Sequence, residues 1–286
     1  MTKRPYLAPL AAFLCLTVSA SAAGLPGFLR VASFTLSPAQ ARELTHVLET
    51  RWAPVLVGDA TLQVRITADP GLDRGMAAYA ASDLPFDLIE AHAVPYLERW
   101  PNPADSPLRP FLEWSPTSRA WPAARRTGLL VVRHGYQPDA HFWQAGRLAM
   151  VGRQSWLGGK VQLRMLDREE HPIPSGRWLE CGDADDVLRA VKIGWADVGA
   201  LPGDPHFSWG LAYDLAAQFS VLQSSDPQPP PVWFISRRWA EAHPAGLAWL
   251  REVLREYFGP DQLLPISTLG RDSRAAAVRY RGAAAK

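Results

Sequence analysis

The order of strand-like and helix-like runs at the start of the chain allows few folds. Residues 28–34 read as a strand, and Ser37 follows as an N-cap with Pro38 at the first helical position and Gln40 completing a capping box. Ala41, Leu44, Val47 and Leu48 then recur at helical spacing. Residues 62–67 alternate Leu62, Val64 and Ile66 against Gln63 and Arg65, as a half-buried strand does. A short helix is expected over residues 72–81, a third strand over 85–89, and a further helix from near Val94. Three strands alternating with three helices specify a parallel sheet covered by helices. The carboxyl ends of such strands share one edge, where ligands sit in open α/β sheets. Ser33, Thr35, Glu90 and His92 all fall at that edge and are candidate ligand-binding residues.

Between Trp100 and Trp121 the chain is rich in proline and the alternation stops, which predicts a crossing into a second lobe. Residues 128–133 and 147–151 are expected strands. The second runs into the sequence Gly-Arg-Gln-Ser-Trp-Leu-Gly-Gly (152–159) and then a helix to about Met165. The free N–H groups and dipole of a helix start suit an anion or a polar ligand group, making Gln154, Ser155 and Trp156 candidates. A short strand is expected at 178–181. A helix capped by Asp183 and ended by Gly194 should follow it, then a strand at 196–201 closing on Pro202, Gly203, Asp204 and Pro205, with Asp204 a further candidate. Residues 219–222 read as an edge strand, 226–231 as a proline-rich crossing back, and 232–236 as a return strand. Pro244 opens the last strong helix, with Gly259 after its end. The division expected is lobe 1 at 24–115 plus 230–260, lobe 2 at 116–229, and a basic, alanine-rich mobile tail at 261–286.

Residues 1–23 carry Lys3 and Arg4, an apolar segment at 7–18, and then small residues to Ala23, the order of a cleaved secretory signal peptide. The apolar segment is too short for a comfortable membrane span. The mature protein is therefore expected to be exported and soluble. Cleavage leaves Cys181 as its one cysteine, so no internal disulfide forms. A net charge of +2 on 286 residues, without a basic run interleaved with aromatics, argues against nucleic acid as a partner.

No nucleophile elbow, phosphate-binding loop, zinc-hydrolase helix or dinucleotide fingerprint is present, which argues against an enzyme and against a bound cofactor. Glu90 and His92, two apart, share a face if their strand extends that far and could then hold a ligand or a metal; no other metal ligands are visible, and none is assigned. Asp183 and Asp186 are better explained by capping than by acid–base chemistry. Trp156 fits either stacking on a planar or cationic ligand or packing in the core or between lobes.

The ordered set of elements resembles the phosphate, phosphite and phosphonate type of periplasmic substrate-binding protein. The matching pieces are Leu29-Arg30-Val31, Phe86-Asp87-Leu88-Ile89 before a helix holding Tyr96, residues 128–133, and Gly146-Arg147-Leu148-Ala149. Residues 186–197, ending Gly194-Trp195-Ala196-Asp197, and 225–237 complete the set. The resemblance implies a type 2 periplasmic binding fold: two α/β lobes, each with a mostly parallel sheet, and two crossing strands as a hinge. It also implies a non-catalytic role, with a small polar or anionic ligand held between the lobes and delivered to an ABC-transporter permease. The chain departs from the family's pattern at the second-lobe helix start. There Gln154 and Trp156 replace small hydroxyl residues around Ser155, and on the other lobe Glu90 brings a carboxylate to the cleft. That departure raises an alternative, an accessory protein of the same fold that has lost transport and contacts an exported redox enzyme or a membrane sensor.

Overall fold

A computed structural model of the chain describes residues 28–34, 36–52, 62–68, 86–203 and 215–284. The expected signal peptide at 1–23, the helix expected at 72–81, and the candidates Thr35 and Asp204 lie outside the described residues. Among the described residues no helix is long and apolar enough to cross a membrane.

Two sheets organise the chain. Strands β1 (Phe28–Ser33), β2 (Gln63–Ala68), β3 (Leu88–Ala91), β4 (Leu108–Trp114), β10 (Val232–Ser236) and β11 (Leu263–Pro265) form the first, in the order β11-β4-β10-β3-β1-β2. Strands β5 (Gly128–Arg133), β6 (Leu148–Met150), β7 (Trp178–Glu180), β8 (Val198–Pro202) and β9 (Phe219–Ser224) form the second, in the order β7-β6-β8-β5-β9. Each sheet has a parallel group, β2-β1-β3 in one and β7-β6-β8 in the other, extended by antiparallel neighbours. Parallel pairs must be joined by crossovers that cover the faces, which is why the inner strands β3 and β6 are buried along their whole length, whereas β2, at the sheet edge, alternates.

The helices follow from local sequence. In α1 (Pro38–Trp52) the capping box closes as its residues dictate. Gln40 N donates to Ser37 Oγ at 3.2 Å and Ser37 N donates to Gln40 Oε1 at 3.0 Å. Helix α2 (Ala93–Arg99) is anchored by Tyr96, whose ring stacks on Phe234 of β10 at 4.3 Å. The short α3 (Ala140–Ala145) leads into β6, and α4 (Val161–Arg168) covers one face of the second sheet. Helix α5 (Ala184–Lys192) covers the other face through Val187, Leu188 and Val191, with Asp183 Oδ1 accepting from Asp186 N at 2.8 Å as its cap. The four-residue α6 (Leu215–Gln218) precedes β9. Helices α7 (Arg237–Ala242) and α8 (Pro244–Phe258) pack on the first sheet, where Leu250 and Leu254 are fully buried, and Gly259 ends α8 at φ +104°.

Two expectations are corrected here. The segment 100–121 is not simply a crossing, because it holds β4, which lies between β10 and β11. Pro110 hides that strand in the sequence. It pairs with Phe234 beside a register shift at Trp233/Phe234, where a residue without an N–H is tolerated. Nor is the chain after residue 261 a mobile tail. Leu263 is buried in β11, and α9 (Arg271–Ala284) packs on α2 with Leu269, Ala276 and Ala277 buried. Alanines bury little area each, so their packing rests on close fit, which a count of large apolar residues misses.

The chain passes between the sheets twice, at 115–127 and at 225–231, and the two passages are bonded to each other. Gln228 N donates to Arg126 O at 2.7 Å and Arg126 Nη1 to Gln228 O at 2.7 Å, while Ser225 N ties the second passage to the start of β5 by donating to Gly128 O at 2.9 Å. Burial lowers the Arg126 guanidinium below its usual range. The first passage is also tied to the C-terminal segment, since Ser115 N donates to Gln262 O at 2.8 Å and Arg119 N to Gln262 Oε1 at 2.8 Å.

Candidate functional site

The register of β1 against β3, Val31 to Leu88 and Ala32 to Ile89, places Ser33 beside Glu90 at the carboxyl edge of the first sheet. Ser33 Oγ donates to Glu90 Oε2 at 2.6 Å and accepts from Leu36 N at 3.2 Å, fixing the turn into α1. The other Glu90 oxygen accepts from Trp114 Nε1 at 2.6 Å. Glu90 has 0% of its surface exposed. It stands opposite Trp233, which in turn stands opposite Leu112, so these residues and Trp114 share one face. Trp114 and Trp233 both approach Phe258 of α8, at 5.0 and 6.2 Å between ring centroids. The Glu90 carboxylate is therefore carried on the α8 side of the sheet, where Ser33 and Trp114 donate to it. His92, the residue before α2, is buried, and its ring lies 5.2 Å from that of Phe34 and 6.0 Å from that of Trp121. Trp121 belongs to the first passage, so strand end, helix start and passage meet in one aromatic group.

On the second sheet β6 ends at Met150, and residues 152–160 make the turn and a π-helical coil, Trp156–Lys160, that leads into α4. Ser155 Oγ accepts from Gly158 N at 3.1 Å as the cap, and Val151 N donates to Gly158 O at 3.0 Å, closing the coil onto the end of β6. The glycines are needed for this approach. A Cβ on Gly159 would stand 2.2 Å from the Gly152 carbonyl oxygen, and one on Gly158 2.7 Å from Val151 Cβ. Gln154 is exposed at the tip of the turn, whereas Ser155 and Trp156 are buried, Trp156 with 0% of its surface exposed. The Arg164 guanidinium lies over the Trp156 ring at 5.1 Å, so this chain supplies the indole with its own cation. Gln162, also fully buried, fixes α4 to the sheet by donating to Leu201 O at 2.7 Å.

The two lobes meet through α2 and α4. Glu98 of α2 pairs with Arg164 and, at 3.6 Å, with Lys160 Nζ, all three largely shielded from solvent. Trp156, Leu157, Val161 and Met165 of the second lobe belong to one continuous apolar cluster with Leu29, Ile89, Phe111 and Trp233 of the first. The ion pairs were not readable in advance, because Glu98 and Arg164 are 66 positions apart. The sequence did show two cations, Lys160 and Arg164, one helical turn apart beside the glycine-rich turn.

No protein-family model and no curated protein matches the sequence. Solved structures do match in fold. One is the Xanthomonas citri protein XAC2383 bound to ATP, at TM-score 0.60 and 18% identity over 90% of this chain and 96% of that one. Another is PhnD1 of Prochlorococcus marinus in complex with methylphosphonate, at TM-score 0.60 and 11% identity over 90% and 98%. A third is PA3383 of Pseudomonas aeruginosa, a binding-protein component of an ABC phosphonate transporter, at TM-score 0.57 and 12% identity over 91% and 96%. The chain has the two-lobed α/β fold of the periplasmic binding proteins, and its structural neighbours include a methylphosphonate complex and a binding component of an ABC phosphonate transporter.

Proposed function

We propose that this chain is an exported, non-catalytic solute-binding protein that captures a small polar or anionic ligand between its lobes for an ABC-transporter permease. The ligand is a phosphonate-like anion or an altered relative of one. Ser33, Thr35, Glu90 and His92 contribute from lobe 1, and Gln154, Ser155, Trp156 and Asp204 from lobe 2. The observation carrying this reading is the concentration of buried polar side chains at the carboxyl edges of both sheets: Ser33, Glu90 and His92 on one, Ser155 on the other. The fold shared with phosphonate-binding components supports it. On this reading the protein works as a monomer in the periplasm, after removal of residues 1–23, and needs no cofactor.

A second reading is favoured by one feature. Trp156 is fully buried, capped by Arg164, and the same Arg164 pairs with Glu98 across the lobes. A cleft occupied in this way suits an accessory protein that has lost transport and serves an exported redox enzyme or a membrane sensor. A thermal-shift screen against phosphate, phosphonates, sulfonates, amines and divalent metals separates the two, because a ligand of the folded state raises the melting point with concentration. Solute capture is expected to give such a shift, reduced in Gln154→Ala. Cooperative melting with no shift from any solute would overturn it and leave the accessory role.

A further inference from the structure

The amino ends of the parallel strands in lobe 2 form the pole of that lobe farthest from the carboxyl edge. Arg147 precedes β6, Arg177 precedes β7, and Trp195 stands shortly before β8. These residues, with Trp178 and Leu179, line an open groove of about 360 Å³. Gly194, at φ +80°, turns the chain after α5 between Ile193 and Trp195, which are 52% and 64% exposed. Scattered single apolar residues on a surface are ordinary, but an exposed tryptophan and isoleucine at one turn tip form a patch.

Cations outnumber carboxylates around that tip. Asp197 Oδ2 accepts from the Arg147 backbone N at 2.9 Å, the Arg147 side chain reaches the Trp195 carbonyl through Nη1 at 3.5 Å, and Asp139 acts with Asp197 and Arg133 on Tyr136. Arg177 lines the same groove as Trp195, Lys192 is exposed next to Ile193, and Arg133 Nη1 lies 3.3 Å from where a Cβ on Gly194 would sit. The acidic residues of α5, Asp185 and Asp186, are at the opposite end of that helix. An exposed indole and branched aliphatic side chain with four cations, Arg133, Arg147, Arg177 and Lys192, near them against the Asp197 carboxylate match an interface whose outer layer is anionic and whose next layer is apolar. We propose that this pole of lobe 2 docks on a membrane surface containing anionic phospholipid, with Ile193 and Trp195 entering the headgroup layer and Arg133, Arg147, Arg177 and Lys192 meeting lipid phosphates. The pole is remote from the cleft, so this docking does not depend on which solute, if any, the lobes capture.

Vesicle sedimentation of the full chain tests it, with phosphatidylcholine alone compared with phosphatidylcholine containing about one third phosphatidylglycerol. Wild type should prefer the anionic vesicles and lose that preference as salt rises. Ile193→Ser with Trp195→Ala should weaken binding about tenfold or more, and Arg147→Gln with Arg177→Gln about fivefold per cation. Residues 1–23 are common to all variants, so the differences read the pole alone. Brominated acyl chains should quench an emission component present in wild type and missing in Trp195→Phe. Equal binding to both vesicle types, variants that bind as wild type does, or no quenching assignable to Trp195 would overturn the proposal, including the case in which a protein partner occupies the groove instead.

Discussion

Replacing Gly159 with alanine tests whether the second-lobe turn is built as described. The added methyl would sit 2.2 Å from the Gly152 carbonyl oxygen and 3.1 Å from its carbon, both backbone atoms. That is short of a normal carbon contact by more than about 1 Å. Neither side can yield easily. Gly152 O accepts from Ser155 N at 2.9 Å, while Ser155 O accepts from Lys160 N at 2.9 Å and Gly158 O from Val151 N at 3.0 Å, so the turn and the coil brace each other. Overpacking a braced site costs about 3 kcal/mol, and for a protein of this size about 2–4 °C of melting temperature accompanies each kcal/mol. The expected fall is therefore roughly 6–12 °C by circular dichroism or calorimetry. Gly176→Ala is the internal control. Nothing lies within 4 Å of the added atom, so its melting point should hold or rise slightly. A Gly159→Ala protein melting within about 1 °C of wild type would show that Gly159 does not lie against Gly152 in solution.

Glu98→Gln leaves Lys160 and Arg164 facing a neutral amide in a largely shielded position. Losing charge-assisted hydrogen bonds of this kind costs about 1.5–3 kcal/mol. The lobes should separate more readily, seen as a larger radius of gyration in small-angle scattering and faster proteolysis at 115–127; an unchanged scattering profile would refute the clasp. Glu113 faces Ser273 and Asp272 where α9 docks, and burial first, then the Asp272 carboxylate, raises its pKa. A carboxyl whose pKa is higher folded than unfolded favours the folded state most below its unfolded value. That contribution is lost as pH rises through the folded value. Glu113→Gln should therefore raise the melting temperature at neutral pH and lose that advantage at acid pH, and an unchanged difference across the range would count against the assignment.

Most of lobe 2 could be read from sequence because its signals are local. Asp183 caps the helix it precedes, Gly194 ends that helix at positive φ, and the run from Gly128 alternates its side chains between the two apolar clusters of the sheet. In lobe 1, β4 and α9 were missed for opposite reasons. Pro110 sends a breaker signal that a bulge neutralises, and the alanines of α9 send a signal too weak to separate a docked helix from a tail. At the site, the edge positions of Ser33, Glu90 and His92 followed from strand order. Where Glu90 points did not, because that depends on β10 lying between β3 and β4, and β10 arrives more than a hundred residues later.

Trp156 bears most directly on whether the cleft can work. A tryptophan buries roughly 150–250 Å², and at about 25 cal/mol per Å² fully exposing it would cost roughly 4–6 kcal/mol, equivalent to some three to four powers of ten in affinity. A ligand that had to displace Trp156 from both lobes would bind weakly unless its own contacts were unusually good. Arg164 lies on the same lobe as Trp156 and over its ring, however, so part of the indole surface stays covered when the lobes separate. The cost falls on the part covered by lobe 1, together with the Glu98 pairs that separate at the same time. Solute capture and the accessory role therefore differ in how this closed arrangement responds to ligand: capture requires a solute whose contacts with the closed form exceed those Trp156 and Glu98 already make, and the accessory role requires none.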